Sequence, residues 1–152
     1  PEDGNGSVIK LLVVGKGKET AYGSMAREYG VADRVIFAGV TREVEKYYAA
    51  GDIFAMPSVY DTFGMAVLEA MAAGLPVIIS QTVGARDLVN DGVEGFVLGD
   101  PPNAVELSGK IDFLSNEKNR LKMGECARDQ ALKHSWDRVA EQMATLYLKN
   151  FR

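Results

Sequence analysis

Short β-branched runs alternate with amphipathic stretches along the first two thirds of the chain. The apolar runs fall at 8–14, 34–38, 52–56, 76–79 and 95–98. They are too short for helices and too apolar for strands with a solvated face, which predicts strands buried on both sides. Between them, 19–29, 41–50 and 64–73 have helical character. Strand, helix, strand in regular succession predicts an α/β fold: a Rossmann-like, mainly parallel sheet with helices on both faces. Gly15, Gly39, Pro57, Gly74 and Gly99 close the units, as loops at strand ends require.

After 98 the pattern turns helical. Pro101-Pro102-Asn103 opens one helix to about Leu114, Asn116 caps a second to about Leu132, and Ser135 caps a third. In the third, Trp136, Val139, Ala140, Met143, Leu146 and Tyr147 recur at helical spacing and form one apolar stripe. The expectation is that this stripe packs on the domain's own sheet; docking on a neighbouring domain is the alternative. The sequence contains no repeat, low-complexity tract or internal linker.

Composition narrows the function classes. The 152 residues carry 17 Lys+Arg against 21 Asp+Glu, a formal charge of −4, with 47% hydrophobic residues. That suits one domain with a sizeable core and argues against nucleic acid as a partner. No apolar run reaches the roughly 18 residues of a membrane-spanning helix, and residues 1–6 lack the regions of a secretory signal. A cytoplasmic protein is expected. With Cys126 and His134 each the sole residue of its type, an internal disulfide and a Cys/His metal cluster are excluded. A Ser-His-Asp triad would have to use His134, and no serine lies in a nucleophile-elbow sequence. Cys126 reads as a semi-buried small residue and His134 as a surface one.

In an open parallel sheet, ligands bind beyond the carboxyl ends of the strands. The loop 15–18 (Gly-Lys-Gly-Lys) is not a phosphate-loop sequence, and Thr20 breaks the dinucleotide glycine pattern. It reads as a tight connection with two solvated lysines, Lys16 and Lys18, with phosphate contact as the alternative. The loop 57–64 is more informative. It leads into a helix that is apolar on nearly every side except for Glu69. Such a helix is expected to be buried, and a buried carboxylate needs a partner. No Lys or Arg occurs between Lys46 and Arg86. Glu69 therefore either meets Arg86, a lysine or backbone amides from elsewhere, or accepts hydrogen bonds from ligand hydroxyls such as a vicinal diol. At the mouth of the helix, Asp61 or Thr62 can cap, and Phe63, Gly64 and Met65 offer backbone N–H groups to an anion. A nucleoside diphosphate joined to a sugar fits both features; Asp61 as an ordinary cap is the plain alternative.

These residues carry a resemblance. The run Pro57-Ser58-x-x-Asp61-x-Phe63-Gly64-Met65-Ala66-Val67-Leu68-Glu69-Ala70-Met71-Ala72-Ala73-Gly74-Leu75-Pro76-Val77-Ile78 resembles the signature of retaining GT-B glycosyltransferases of the group 1 (family 4) type, with its acidic E-x7-E pair. The stretches 33–40 and 84–95 and the pair Ser135-Trp136 are similar as well. The resemblance implies the C-terminal, donor-binding domain of a two-domain enzyme that transfers a hexosyl group from a nucleotide-sugar. The acceptor would be a glycan, lipid or lipopolysaccharide-type molecule. It assigns Glu69 to the ribose hydroxyls and Asp61, the catalytic candidate, to the donor sugar. Phe63, Gly64 and Met65 would make backbone contacts to sugar and diphosphate, with Thr62 counted among them, and Val40 would make one to the base. No metal or other cofactor is implied. The acceptor domain lies outside the chain, membrane contact would be peripheral and through that domain, and the isolated chain is expected to be inactive. A non-catalytic nucleotide-sugar binding module, or another GT-B enzyme such as a nucleotide-sugar epimerase, are the competing readings; the epimerase would need its own acids and a histidine.

The chain departs from the family pattern in two places. Asp61 stands where the family usually has Glu, which bears on the identity of the sugar. The family's opening strand, with its Gly-Arg and following lysine, has no counterpart here, and 1–6 resembles a later loop. Lacking that central strand, the runs at 8–14 and 52–56 are expected to pair directly or to borrow a strand from another chain.

Overall fold

The computed structural model describes residues 9–150. They divide into two compact units, one ending at Gly51 and the other beginning at Asp52.

In the first unit, β1 (Leu11–Val14) and β2 (Val35–Gly39) form a parallel pair, with Leu11 opposite Val35 and Val13 opposite Phe37. The register slips after Val13, so Val14 faces Gly39. The crossover between the strands contains α1 (Glu19–Glu28) and a single 3-10 turn (Ala32–Arg34). The second helix, α2 (Val44–Ala50), starts three residues later than the pattern suggests. Thr41 accounts for the delay: its hydroxyl oxygen accepts the Glu43 N–H at 3.0 Å and makes a local turn that competes with helix. Burial on both faces fails for this pair. Leu11 is 56% exposed and Ile36 46%, because a two-stranded sheet with one crossover helix cannot cover both of its faces.

The second unit holds a three-stranded parallel sheet in the order β3 (Phe54–Met56), β4 (Val77–Ser80), β5 (Gly95–Leu98). Phe54 lies opposite Val77, and Val77 opposite Gly95. Here the expectation of two covered faces holds where a strand has neighbours on both sides: all four residues of β4 are buried. α3 (Met65–Ala72) crosses from β3 to β4, and α4 (Ala104–Ser115), α5 (Glu117–Leu132) and α6 (Trp136–Asn150) follow β5. Ile78, Phe96, Leu98, Leu114 and Met123 make a core cluster from strands and helices together, with Ile53, Leu107 and Ile111 packed on it. The helix starts are fixed by side chains: Asn103 Oδ1 accepts the Glu106 N–H at 2.8 Å, and Asn116 Oδ1 accepts the Asn119 N–H at 3.2 Å. α5 passes close to the turn after α3. A Cβ on Gly124 would sit 2.2 Å from the Gly74 carbonyl oxygen, so only glycine permits that approach.

Among the described residues β1 pairs with β2 inside the first unit, and β3 with β4 inside the second. One expectation is corrected: the stripe of α6 does not pack on the sheet of its own unit. None of its residues is buried, and Trp136 is 76% exposed. The helices that supply the core cluster over β4 and β5 are α4, through Leu114, and α5, through Met123.

Candidate functional site

The loop from β3 to α3 is tied to the segment that follows β4. Asp61 and Val83 form an isolated parallel bridge. The Asp61 N–H donates to the Thr82 carbonyl at 3.5 Å, the Gly84 N–H to the Asp61 carbonyl at 3.1 Å, and the Ala85 N–H to the Phe63 carbonyl at 2.6 Å. The hydroxyls of Ser80 and Thr82 both donate to the Ser58 carbonyl, Thr82 at 2.9 Å. Gly84 allows this contact, since a Cβ there would lie 2.2 Å from the Thr62 carbonyl oxygen. The loop carrying most of the candidate residues is therefore held at the carboxyl ends of β3 and β4, where open parallel sheets place their ligands.

Neither Asp61 nor Thr62 caps α3. The N-cap is Gly64, in the left-handed region at φ +82°, with no side-chain cap. A Cβ on Gly64 would also come within 2.8 Å of Val83 Cγ1, so the position needs glycine on two counts. Asp61 instead folds back on its own loop, its Oδ1 accepting the Phe63 N–H at 3.1 Å. The N–H of Phe63 is thereby used internally, which removes it from the set of donors expected at the helix mouth. The N–H groups of Gly64, Met65 and Ala66 have no hydrogen-bond partner among the described residues. They are the orphan donors of a helix start, where the peptide dipoles also favour negative charge.

Glu69 is exposed, not buried. Val67, Ala70 and Met71 form the buried stripe of α3, and Glu69 stands on the opposite side with Met65, Ala72 and Ala73. The apolar residues on that outer face, Met65, Ala72 and Ala73, are small or flexible enough to tolerate it, so composition overstated the burial of the helix. The buried carboxylate of this unit is Glu94, 5% exposed, which accepts the Asn90 N–H at 2.7 Å and the Asn90 side-chain amide at 3.2 Å. It closes a loop and lies outside the candidate set.

Asp61, Thr62, Phe63, Gly64, Met65 and Glu69 thus belong to one loop and helix. Val40 belongs to the first unit, where it follows Gly39 at the end of β2 and is 75% exposed. The Gly15 N–H donates to the Gly39 carbonyl at 2.8 Å and joins the ends of β1 and β2 beside it. The sequence places the segment from Ser80 to Gly84 at a strand end where ligands bind, but it did not show that Ser80, Thr82 and Gly84 hold the loop of the site. The available signal was a hydroxyl placed directly after the apolar run Val77-Ile78-Ile79. An open groove of about 530 Å³ lies elsewhere, lined by Phe96, Val105, Glu106, Lys110, Phe113 and Met123, and contains no candidate residue. Among the described residues, no three His, Cys, Asp or Glu side chains gather as metal ligands would, and no helix is long and apolar enough to cross a membrane.

Residues 3–130 match the family described as glycosyl transferases group 1. D-inositol 3-phosphate glycosyltransferase of Corynebacterium glutamicum is 35% identical over 129 residues, 83% of this chain and 31% of that protein. Among solved structures, sucrose-phosphate synthase from Thermosynechococcus elongatus superposes with a TM-score of 0.84 at 29% identity, covering 93% of this chain and 38% of that one. Anabaena Alr3699/HepE in complex with UDP-glucose gives 0.80 at 26%, covering 92% and 41%. The chain spans about a third of the length of the curated relatives it matches.

Proposed function

The chain belongs to the glycosyl transferases group 1 family, and from that premise we propose that it is the donor-binding domain of a retaining hexosyltransferase. Its fold is that of the Rossmann-like C-terminal domain of GT-B glycosyltransferases. The whole enzyme takes a nucleotide-sugar as donor and a glycan, lipid or lipopolysaccharide-type molecule as acceptor. The acceptor is held by a second domain outside these 152 residues, and the exposed stripe of α6 is the surface that meets it. The enzyme works in the cytoplasm, in peripheral contact with the membrane through that second domain.

The observation that carries this reading is the start of α3. Three N–H groups without partners among the described residues, at the Gly64 N-cap, Met65 and Ala66, stand at the start of the helix that carries an exposed carboxylate at Glu69. With a rise of 1.5 Å per residue, Glu69 stands about 7.5 Å along the axis from Gly64, a separation that a diphosphate and its ribose can bridge. The N–H groups hold the diphosphate and stabilise the charge that builds on it as the glycosidic bond breaks. Glu69 accepts the ribose hydroxyls. Asp61 keeps Oδ1 on the Phe63 N–H and turns its other oxygen to the sugar hydroxyls. The backbone at Thr62 and Phe63 lines the sugar. These residues bind and orient without a metal ion. Complexes of Anabaena Alr3699/HepE with UDP and with UDP-glucose support a nucleotide-sugar as the donor class.

The test is product stereochemistry. The whole protein, supplied with donor and acceptor, should form a glycoside whose anomeric proton coupling in NMR matches the donor's configuration. Inversion at that carbon would overturn the retaining assignment, and failure of the protein to bind any nucleotide-sugar would overturn the donor role.

A further inference from the structure

We propose that Ser80 and Thr82 are positioning residues for the donor site: together they clamp the Ser58 carbonyl and so fix the loop that presents Asp61 and the N–H groups of α3. The proposal rests on the reading of that loop as the donor site. Ser80 ends β4 and is fully buried, in a strand whose other side chains are all apolar. A hydroxyl in such a place is retained only if it is hydrogen-bonded. Its partner lies 22 residues away in sequence, on the loop. The half-buried Thr82 donates to the same oxygen at 2.9 Å. One carbonyl with two lone pairs is thus filled by two side chains from the neighbouring strand end, and no N–H of the loop is consumed in doing so.

The rest of the stitching is backbone to backbone, through Thr82, Gly84 and Ala85, and asks of the side chains only that position 84 be glycine. The clamp depends on two side-chain hydroxyls, and it acts at the upstream end of the loop. Asp61 and Phe63, in the middle and at the downstream end, are held by the backbone bonds and by the Asp61 carboxylate. Without the clamp, the stretch between Met56, paired on β4, and Asp61, bridged to Val83, loses its side-chain anchor. Residues 58–60 would then sample several positions, Asp61 would be held less firmly against Gly64, and a donor would have to order the loop on binding.

Four variants of the whole protein test this: Ser80→Ala, Thr82→Val, Thr82→Ser and Asp61→Asn. Amide hydrogen exchange reads residues 58–66 against β4 and β5. Titration calorimetry reads the affinity for whichever of UDP, GDP and ADP binds best, and turnover is measured with the corresponding sugar nucleotide. Ser80→Ala and Thr82→Val should speed exchange in 58–66 about tenfold with β4 and β5 unchanged. Each should weaken nucleotide binding by roughly 2- to 12-fold, the range for one hydrogen bond, and lower turnover at saturating donor as well. Thr82→Ser keeps the hydroxyl and should restore both. A uniform rise in exchange across the unit, or loss of stability with affinity and turnover intact, would reduce the pair to a structural role and overturn the proposal. Asp61→Asn separates the two layers. If it leaves binding and turnover unchanged, the donor-site reading fails and takes this proposal with it. If it impairs turnover while Ser80→Ala and Thr82→Val behave as wild type, the positioning role alone is refuted.

Discussion

Replacing Gly84 by alanine tests how tightly the two loops of the site are joined. A Cβ there falls 2.2 Å from the Thr62 carbonyl oxygen and 2.9 Å from Phe63 Cα. Both are backbone atoms, so no side-chain rotation relieves the overlap. The two segments must part by about 1 Å before an ordinary contact is restored. That displacement takes the Gly84 N–H bond to Asp61, now 3.1 Å, out of hydrogen-bonding range, and carries the Ala85 bond to Phe63, now 2.6 Å, to the limit. Two bonds at about 1 kcal/mol each give a loss of about 2 kcal/mol, measurable by urea denaturation followed by circular dichroism. The larger effect is functional. A misplacement of about 1 Å at a binding site can cost on the order of 100-fold in rate, so turnover should fall much further than stability. Gly109, in the middle of α4 with nothing within 4 Å of its added Cβ, is the control. There alanine should stabilise by about 0.5–1 kcal/mol through helix propensity and leave turnover alone. A Gly84→Ala protein with wild-type stability and turnover would refute the close approach on which the site's construction depends.

Two further outcomes concern the scaffold. Leu114 is fully buried in the core cluster with Ile78 and Phe96, and Leu114→Ala should cost about 2–5 kcal/mol in the same denaturation assay. Asn103→Ala removes the acceptor for the Glu106 N–H at the start of α4. It should cost about 1 kcal/mol and speed amide exchange in the first turn of that helix alone.

Much of this architecture was legible because local pattern and tertiary role agree. β5 lies within the run 95–98 to the residue, since Gly95 and Gly99 bound it and every side chain between them is apolar. The helix starts at Asn103 and Asn116 follow from residues whose amide side chains can accept an N–H. The failures have one common form: composition does not say which neighbour a face will have. The strands at Leu11–Val14 and Val35–Gly39 are as apolar as β4, yet they pair with each other and stay partly exposed. α6 has a clear apolar stripe with nothing of this unit burying it. Glu69 looked buried because its neighbours are apolar, although the buried stripe of α3 is narrow and lies on the other side. At the site, Asp61 was legible as a polar group at a helix mouth, whereas its turn onto Phe63 was not. That turn depends on Gly64 being left-handed and on the packing of Val83, which is 22 residues from Asp61 in the chain and opposite it in space.

The central claim is that α3 holds the nucleotide part of a donor between its N–H groups and Glu69. Calorimetric titration of the whole protein and its Glu69→Ala variant with UDP-, GDP- and ADP-sugars tests this most directly. Glu69 is exposed and stands outside the buried stripe of α3, and urea denaturation of both proteins separates any change in folding stability from the change in binding. A hydrogen bond to a charged group is worth about 1.5–3 kcal/mol, and the variant should bind its preferred donor about 10- to 150-fold more weakly. Equal affinity of the two proteins for that donor would contradict the account.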